Sequence, residues 1–379
     1  MALALAALPA WAGEAELKKL AAELLPTVAR TMGLSAPKEL KVQVLTEDAA
    51  RAKLLEGFAR DYPGDSLHRL AEALAVLGLE KSAADLPSLA PSFYAAHADG
   101  FFEPETGTLF LVDAHPLERQ RHIIAHELAH AVQFAQPQLV AALKDRGQSE
   151  DERLALAAVL EGQAQAATSR VMSELFKAQG LNPKDMEALI TQTAAGSSAE
   201  LARTAPSPWL GLQLMYPYTA GSKLVSALAT ADDPISKELL TRLPESTAEA
   251  GDPSRYRAAK PPERWTLGLA RRIPNVASPW SNKLGCAALG LLGPKLCDGW
   301  VADVVETVRR GEKTVLVWMV IYDAPAQAQA LHKLLSKKLK KPGLEVLVQG
   351  PNVAVFSNVP ADGRKQALTA ANQVPRGGW

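Results

Sequence analysis

The chain has 379 residues, 47% of them hydrophobic and 22% charged, which suffices for two or three domains with their own cores and is ordinary for a globular protein. Its 41 basic and 41 acidic residues cancel, so net charge points to no nucleic-acid or membrane-surface partner. No apolar run approaches the roughly 20 residues of a membrane-spanning helix.

Met1 to Ala12 reads MALALAALPAWA. The run ends in Ala10-Trp11-Ala12, with small residues at the −3 and −1 positions of a cut before Gly13, like the back half of a secretory signal peptide that lacks its basic start. This predicts export to the periplasm or the extracellular space. The competing reading is an apolar first turn of the next helix, which Leu17, Leu20, Leu24 and Val28 predict over 14–32. Lys41 to Leu45 alternates like a strand. Helices follow at about 48–60 and 66–79, and the Pro-punctuated stretch 83–96 reads as short helical turns. Glu103-Pro104 and Thr106-Gly107 are turn chemistry, and Thr108 to Val112 has β-propensity. That strand is read either as a sheet edge, to which an extended peptide could add itself, or as a plain core strand.

Pro116 suits the first position of a helix running to about Gln136. After a polar loop comes a long helix over about 150–179, then one over 182–195 and a linker to Trp209. Pro217-Tyr218 opens a helix through Leu228, and 244–265 read as irregular. Beyond about Arg271 the pattern becomes β-β-α-β-β-α, with strands at 300–308, 314–322, 344–348 and 353–358 and helices at 324–341 and 361–373. Lys337, Lys338, Lys340 and Lys341 gather at a helix C-terminus, where they complement its dipole. The only cysteines, Cys286 and Cys297, have no histidine close by and read as a disulfide in an exported chain rather than as zinc ligands.

Chemistry concentrates in Arg121 to His130, RHIIAHELAH. His126 and His130 lie four apart and leave one face of a helix, as two nitrogens holding one Zn²⁺ must. Glu127 lies beside such an ion, where a carboxylate can take a proton from a water on the metal. His122 shares the face but stands eight residues from His130, roughly 12 Å of rise, too far for one ion to bind all three. The other histidines, His68, His97, His115 and His332, offer no ligand spacing. A third ligand is best sought on the next long helix. Glu161 sits there among small residues, next to a Gly162 that costs helix stability and so implies close packing. A surface glutamate on an Ala-rich helix is the alternative. Tyr216 and Tyr218 are candidate oxyanion partners, Tyr218 first, with a tyrosine packed in a core as the alternative.

These residues together resemble the gluzincin metallopeptidases and, more closely, a set of exported, largely uncharacterised prokaryotic proteins with the His-Glu-x-x-His motif. Gly100-Phe-Phe-Glu-Pro-Glu-Thr106 is similar to that set's Gly-Phe-Tyr-Asp-Pro-x-Thr, and Glu161-Gly162-Gln163-Ala164 to its Glu-Gly-Asp-Ala. His130 followed by Ala131-Val132-Gln133, Leu77-Gly78-Leu79 with Asp85-Leu86, and Pro217-Tyr218-Thr-Ala-Gly221 resemble further segments. Asp252 stands where the set has histidine, and Gly299-Trp300-Val-Ala-Asp303 lacks two of its glycines. The resemblance implies a zinc-peptidase fold. With the element pattern above, the chain reads as α+β, a mostly helical zincin-like domain over 13–270 containing a small mixed sheet and a separate small C-terminal α/β domain over 271–379. The resemblance also implies an exported zinc metallopeptidase acting on a peptide or protein. One Zn²⁺ per chain would be held by His126, His130 and Glu161, with Glu127 activating water and Tyr218 at the oxyanion. The rival reading, motivated by Asp252 and the missing glycines, is a catalytically inactive zincin-fold protein that serves binding or assembly in the cell envelope.

Overall fold

The computed structural model describes residues 13–95, 99–113, 116–145, 149–178, 180, 205–259, 267–273, 275–360 and 364. The expected helices at 182–195 and 361–373, the apolar run 1–12, and His97 and His115 lie outside the described residues.

Helix α1 (Glu14–Met32) buries Leu17, Ala21, Leu24 and Val28 along one stripe and ends at Gly33 in the left-handed conformation. Strand β1 (Lys41–Leu45) follows, then α2 (Glu47–Asp61), begun by the Thr46 side chain, which accepts from the Ala49 N–H. Next come α3 (Ser66–Val76) and α4 (Asp85–Ala95). The last is one continuous helix rather than the expected short turns. Its Pro91 forgoes only a bond to the first turn, so the helix survives.

A hairpin of β2 (Gly100–Glu103) and β3 (Thr108–Val112) completes a three-stranded sheet of order β1-β3-β2. β1 runs parallel to β3, and β2 runs antiparallel to it. The reading of 108–112 as an edge is therefore corrected. That strand is central and buried throughout, as five consecutive apolar or β-branched residues suit, and β2, in the stretch read as a turn, is the edge.

Helix α5 (Leu117–Phe134) packs on α1 through Ile124, Ala125, Leu128 and Val132. A separate helix α6 (Pro137–Asp145) follows, with Pro137 as its first residue, and runs just into the stretch from Lys144 to Ser149 that reads as a polar loop. Then follow α7 (Glu150–Ala178) and α8 (Pro208–Leu228). The expectation that Pro217 opens a helix is corrected. Helix α8 begins nine residues earlier, where the Ser207 hydroxyl accepts from the Leu210 N–H, and it runs through Pro217. Short helices α9 (Glu238–Thr241), α10 (Thr247–Gly251), α11 (Pro253–Ala258) and α12 (Leu269–Arg272) carry the chain onward.

The remainder is strand β4 (Ala277–Asn282), helix α13 (Gly285–Leu292), strands β5 (Trp300–Arg310) and β6 (Lys313–Tyr322), helix α14 (Pro325–Lys338), and strands β7 (Leu344–Gln349) and β8 (Asn352–Ser357). They form an antiparallel sheet of order β4-β5-β6-β8-β7. The expected β-β-α-β-β order is present, with β4 added at one edge. One hydrophobic cluster runs from Leu70, Leu74 and Leu86 through Trp209 to Trp318, Val320 and Leu331, so this sheet shares a core with α3, α4 and α8. Cys286 and Cys297 are disulfide-bonded, with Cα atoms 5.1 Å apart. Among the described residues no helix is long and apolar enough to cross a membrane.

Candidate metal centre

Strand β2, the edge of its sheet, and helices α5, α7 and α8 wall a cavity of about 1130 Å³, with Leu54 of α2 and Tyr94 of α4 also lining it. Helix α5 presents His126, Glu127 and His130. Its opposite face is bound into the core with α1, and near its start the Gln120 side-chain amide donates to the Val112 carbonyl at 2.6 Å, tying the helix to β3. Helix α7 brings Glu161 opposite.

His126 Nε2 lies 3.1 Å from Glu161 Oε2, His130 Nε2 lies 3.6 Å from Glu161 Oε1, and the two Nε2 atoms are 3.2 Å apart. A zinc ion with arms of about 2.0 Å has ligand atoms about 3.3 Å apart along the edges of its tetrahedron. The three separations straddle that length, and two imidazoles with one carboxylate form a donor set that leaves one position open. The residues present fit the metal. No other group of three histidine, cysteine or acidic side chains with such geometry occurs among the described residues.

The histidine ring is held from behind. His130 Nδ1 lies 2.9 Å from Gln133 Oε1, an oxygen that can only accept, so Nδ1 carries the proton and Nε2 faces the cluster with its lone pair. Gln133 Nε2 in turn donates to the Leu160 carbonyl at 3.0 Å and to Gln163 Oε1 at 3.1 Å. Gln163 Nε2 then donates to the carbonyls of Ile235 and Ser236. Sequence reasoning did not assign these roles. The signal was there for Gln133, one turn beyond His130 on the same helix face.

Burial pushes the Glu127 carboxyl up to about 7; the Glu161 carboxylate adds to this, while His130 and a hydrogen bond from the Phe102 backbone act against it. Burial also acts to raise Glu161, but His130, His126 and Tyr218 outweigh it and hold that carboxyl below its usual value. Tyr218 hydrogen-bonds Glu161 and stacks on His126, with ring centroids 6.4 Å apart. Burial and the neighbouring carboxylates Glu161 and Glu127 raise its phenol well above the ordinary value, so it keeps its proton.

The other candidates go elsewhere. Tyr216 donates to the Thr247 carbonyl at 2.5 Å and is a packing residue. His122 lines the cavity one turn from His126 without joining the cluster; burial first, then His126 and Arg119, lower its pKa. Asp252 caps α11, accepting from the Ser254 N–H at 2.9 Å. Asp303 accepts from the Leu284 and Gly285 amides and from the Trp318 indole. Asp303 keeps the related pattern. The departures are Asp252, at the α11 cap, and Val301 and Ala302, which stand in place of two glycines and pack in a hydrophobic cluster.

Residues 67–203 match the model of a family described as "Putative metallopeptidase family (DUF6782)". The match spans His126, Glu127, His130 and Glu161 and supports a metallopeptidase; Tyr218 lies beyond it. No curated protein and no solved structure matches the chain.

Proposed function

We propose that the protein is an exported zinc metallopeptidase of gluzincin type that hydrolyses peptide bonds with a water activated by Glu127. The observation that carries this reading is the set of separations among His126, His130 and Glu161, with the buried carboxyl of Glu127 next to them. A zinc ion at these three ligands would supply a Lewis acid for the substrate carbonyl and make a bound water more acidic. Glu127, near neutrality in its proton affinity, accepts the proton of the attacking water and returns it to the leaving amine. Tyr218 keeps its proton and stands beside the cluster, where its hydroxyl can donate to the oxygen of the former carbonyl. The outer edge of β2 is placed to hold the peptide extended across the cleft. The bonded cysteines agree with an exported chain.

The test is metal analysis paired with digestion of a peptide library. Wild type should carry one zinc per chain and cleave peptides, and Glu127→Gln should retain zinc without cleaving. Protein that binds no zinc sinks the reading. Full zinc occupancy with no turnover of a broad library would favour the rival, a zincin fold used for binding or assembly.

A further inference from the structure

Beside the metal cleft lies a second chamber of about 700 Å³. Leu54, Tyr94, Phe101, Phe102 and Pro104 wall both spaces, so together they make one groove along β2. The chamber is aromatic. The Phe58 ring centroid is 4.9 Å from that of Tyr62 and 5.6 Å from that of Tyr94, and all three rings line it. At its inner end the phenols are pinned by their hydroxyls. Tyr94 donates to Gln213 Oε1 at 2.5 Å, Gln213 Nε2 donates to Glu150 Oε2 at 2.5 Å, and Tyr62 donates to the same carboxylate oxygen at 3.3 Å. Glu150 is fully buried and paired with Arg153, whose guanidinium stands 4.8 Å from the centre of the Tyr62 ring. The two phenol rings are thus fixed by polar bonds that no ligand has to supply.

Its position can be read along the strand. A Cβ on Gly100, at the start of β2, would lie 3.5 Å from Glu127 Cγ, so that end of the strand is against the catalytic carboxylate. The chamber is lined by Glu103, Pro104 and Glu105, from three residues further on. At about 3.3 Å per residue this is roughly 10 Å along an extended peptide.

Resting on the metallopeptidase reading, we propose that this chamber selects the substrate by taking a bulky aromatic side chain, tryptophan, tyrosine or phenylalanine, two to four residues from the bond cleaved. Large rings fill such a space with offset or edge contacts to its walls. A lysine or arginine is disfavoured although aromatic walls can hold cations. Three cations line the chamber beside four acids, Asp61, Glu103, Glu105 and Glu150. Lys53 and Arg60 already occupy Glu103, and Arg153 already occupies Glu150 and covers the Tyr62 ring, so the inner carboxylates and that ring face are taken.

The experiment compares zinc-loaded wild type with Gly57→Leu on peptides carrying tryptophan, lysine or alanine at each position. Gly57 lines the chamber from the middle of α2, and a Cβ there meets only Arg60, at an ordinary 3.7 Å. The expected result is kcat/KM 10- to 100-fold higher for tryptophan two to four residues from the cut, with the advantage lost in Gly57→Leu at a Tm no lower than wild type. Binding of the same peptides to Glu127→Gln, read by fluorescence, separates the two ideas. Preferential binding of the tryptophan peptide, abolished by Gly57→Leu, upholds the chamber even where nothing is cleaved, and then the hydrolytic reading alone falls. Equal handling of the three side chains, a preference for lysine, or an aromatic preference confined to the residues flanking the bond overturns the chamber and leaves hydrolysis standing.

Discussion

Gly162 of α7 and Gly221 of α8 touch backbone to backbone. A Cβ on Gly162 would stand 2.4 Å from the carbonyl of Gly221, and a Cβ on Gly221 would stand 2.0 Å from the carbonyl oxygen of Ala158. Glu161 and Tyr218 each lie within three residues of this crossing, so the contact sets the distance over which the tyrosine reaches the glutamate. Gly162→Ala and Gly221→Ala should each destabilise the fold despite alanine's better helix propensity of about 1 kcal/mol. Overpacking of this kind costs about 1–3 kcal/mol. Thermal melts should show a Tm several degrees lower, and zinc titration a weaker site. A Tm at or above wild type would show that the helices can part without cost.

Gln133 should matter to the metal while touching none of it. Gln133→Leu removes the acceptor on His130 Nδ1 and leaves Gln163 without its donor. Loss of such an outer partner lowers metal affinity by about 10- to 100-fold. Competition with a chromophoric chelator measures this directly. Equal zinc affinity in Gln133→Leu would make the glutamine a packing residue only.

How far the sequence discloses this site depends on which interactions are local. The four-residue spacing of His126 and His130 fixes their shared face whatever surrounds them, and the glycine beside Glu161 signals a close helix crossing. The exchange of hydrogen bonds from His130 through Gln133 to Gln163 joins two helices 30 residues apart, and spacing shows only its first step. Pro217 misleads for a related reason. Its missing N–H costs the helix one bond, about 3 kcal/mol when nothing offsets it, and the long contact of α8 with α7 overrides that local preference. The order β1-β3-β2 escapes because β1 reaches β3 across α2, α3 and α4. With that partner unseen, β3 resembles an edge.

Tyr218→Phe tests the oxyanion role. The ring keeps its place on His126, so zinc binding and Tm should stay near wild type, although the Glu161 carboxylate loses one donor. A donor that acts only on the developing oxyanion contributes about 10²–10³ in kcat. The expected profile is therefore a kcat lower by that factor with KM little changed. An unaltered kcat would leave the hydroxyl with the structural task of holding Glu161.

Asp151 gives the fold a pH dependence remote from the metal. It is fully buried at the start of α7, where its Oδ1 accepts from the Thr247 amide and hydroxyl. Burial pushes its carboxyl up to about 7, and the neighbouring Asp303 carboxylate from β5 pushes the same way. A raised carboxyl pKa means that the native state holds a proton the unfolded chain has already released. Below about pH 4 both states are protonated and the group is neutral to stability. Between about 4 and 7 stability falls as pH rises, by at most about 1.4 kcal/mol per unit, and above 7 the loss is constant. Asp151→Asn keeps an oxygen for Thr247 and removes the charge. Urea unfolding of the zinc-loaded proteins at pH 5 and pH 7.5 should show wild type losing stability relative to Asp151→Asn over that interval. Parallel behaviour of the two proteins would mean that Asp151 is ionised in the native state at both values, its charge balanced by Lys283 and the Thr247 donors.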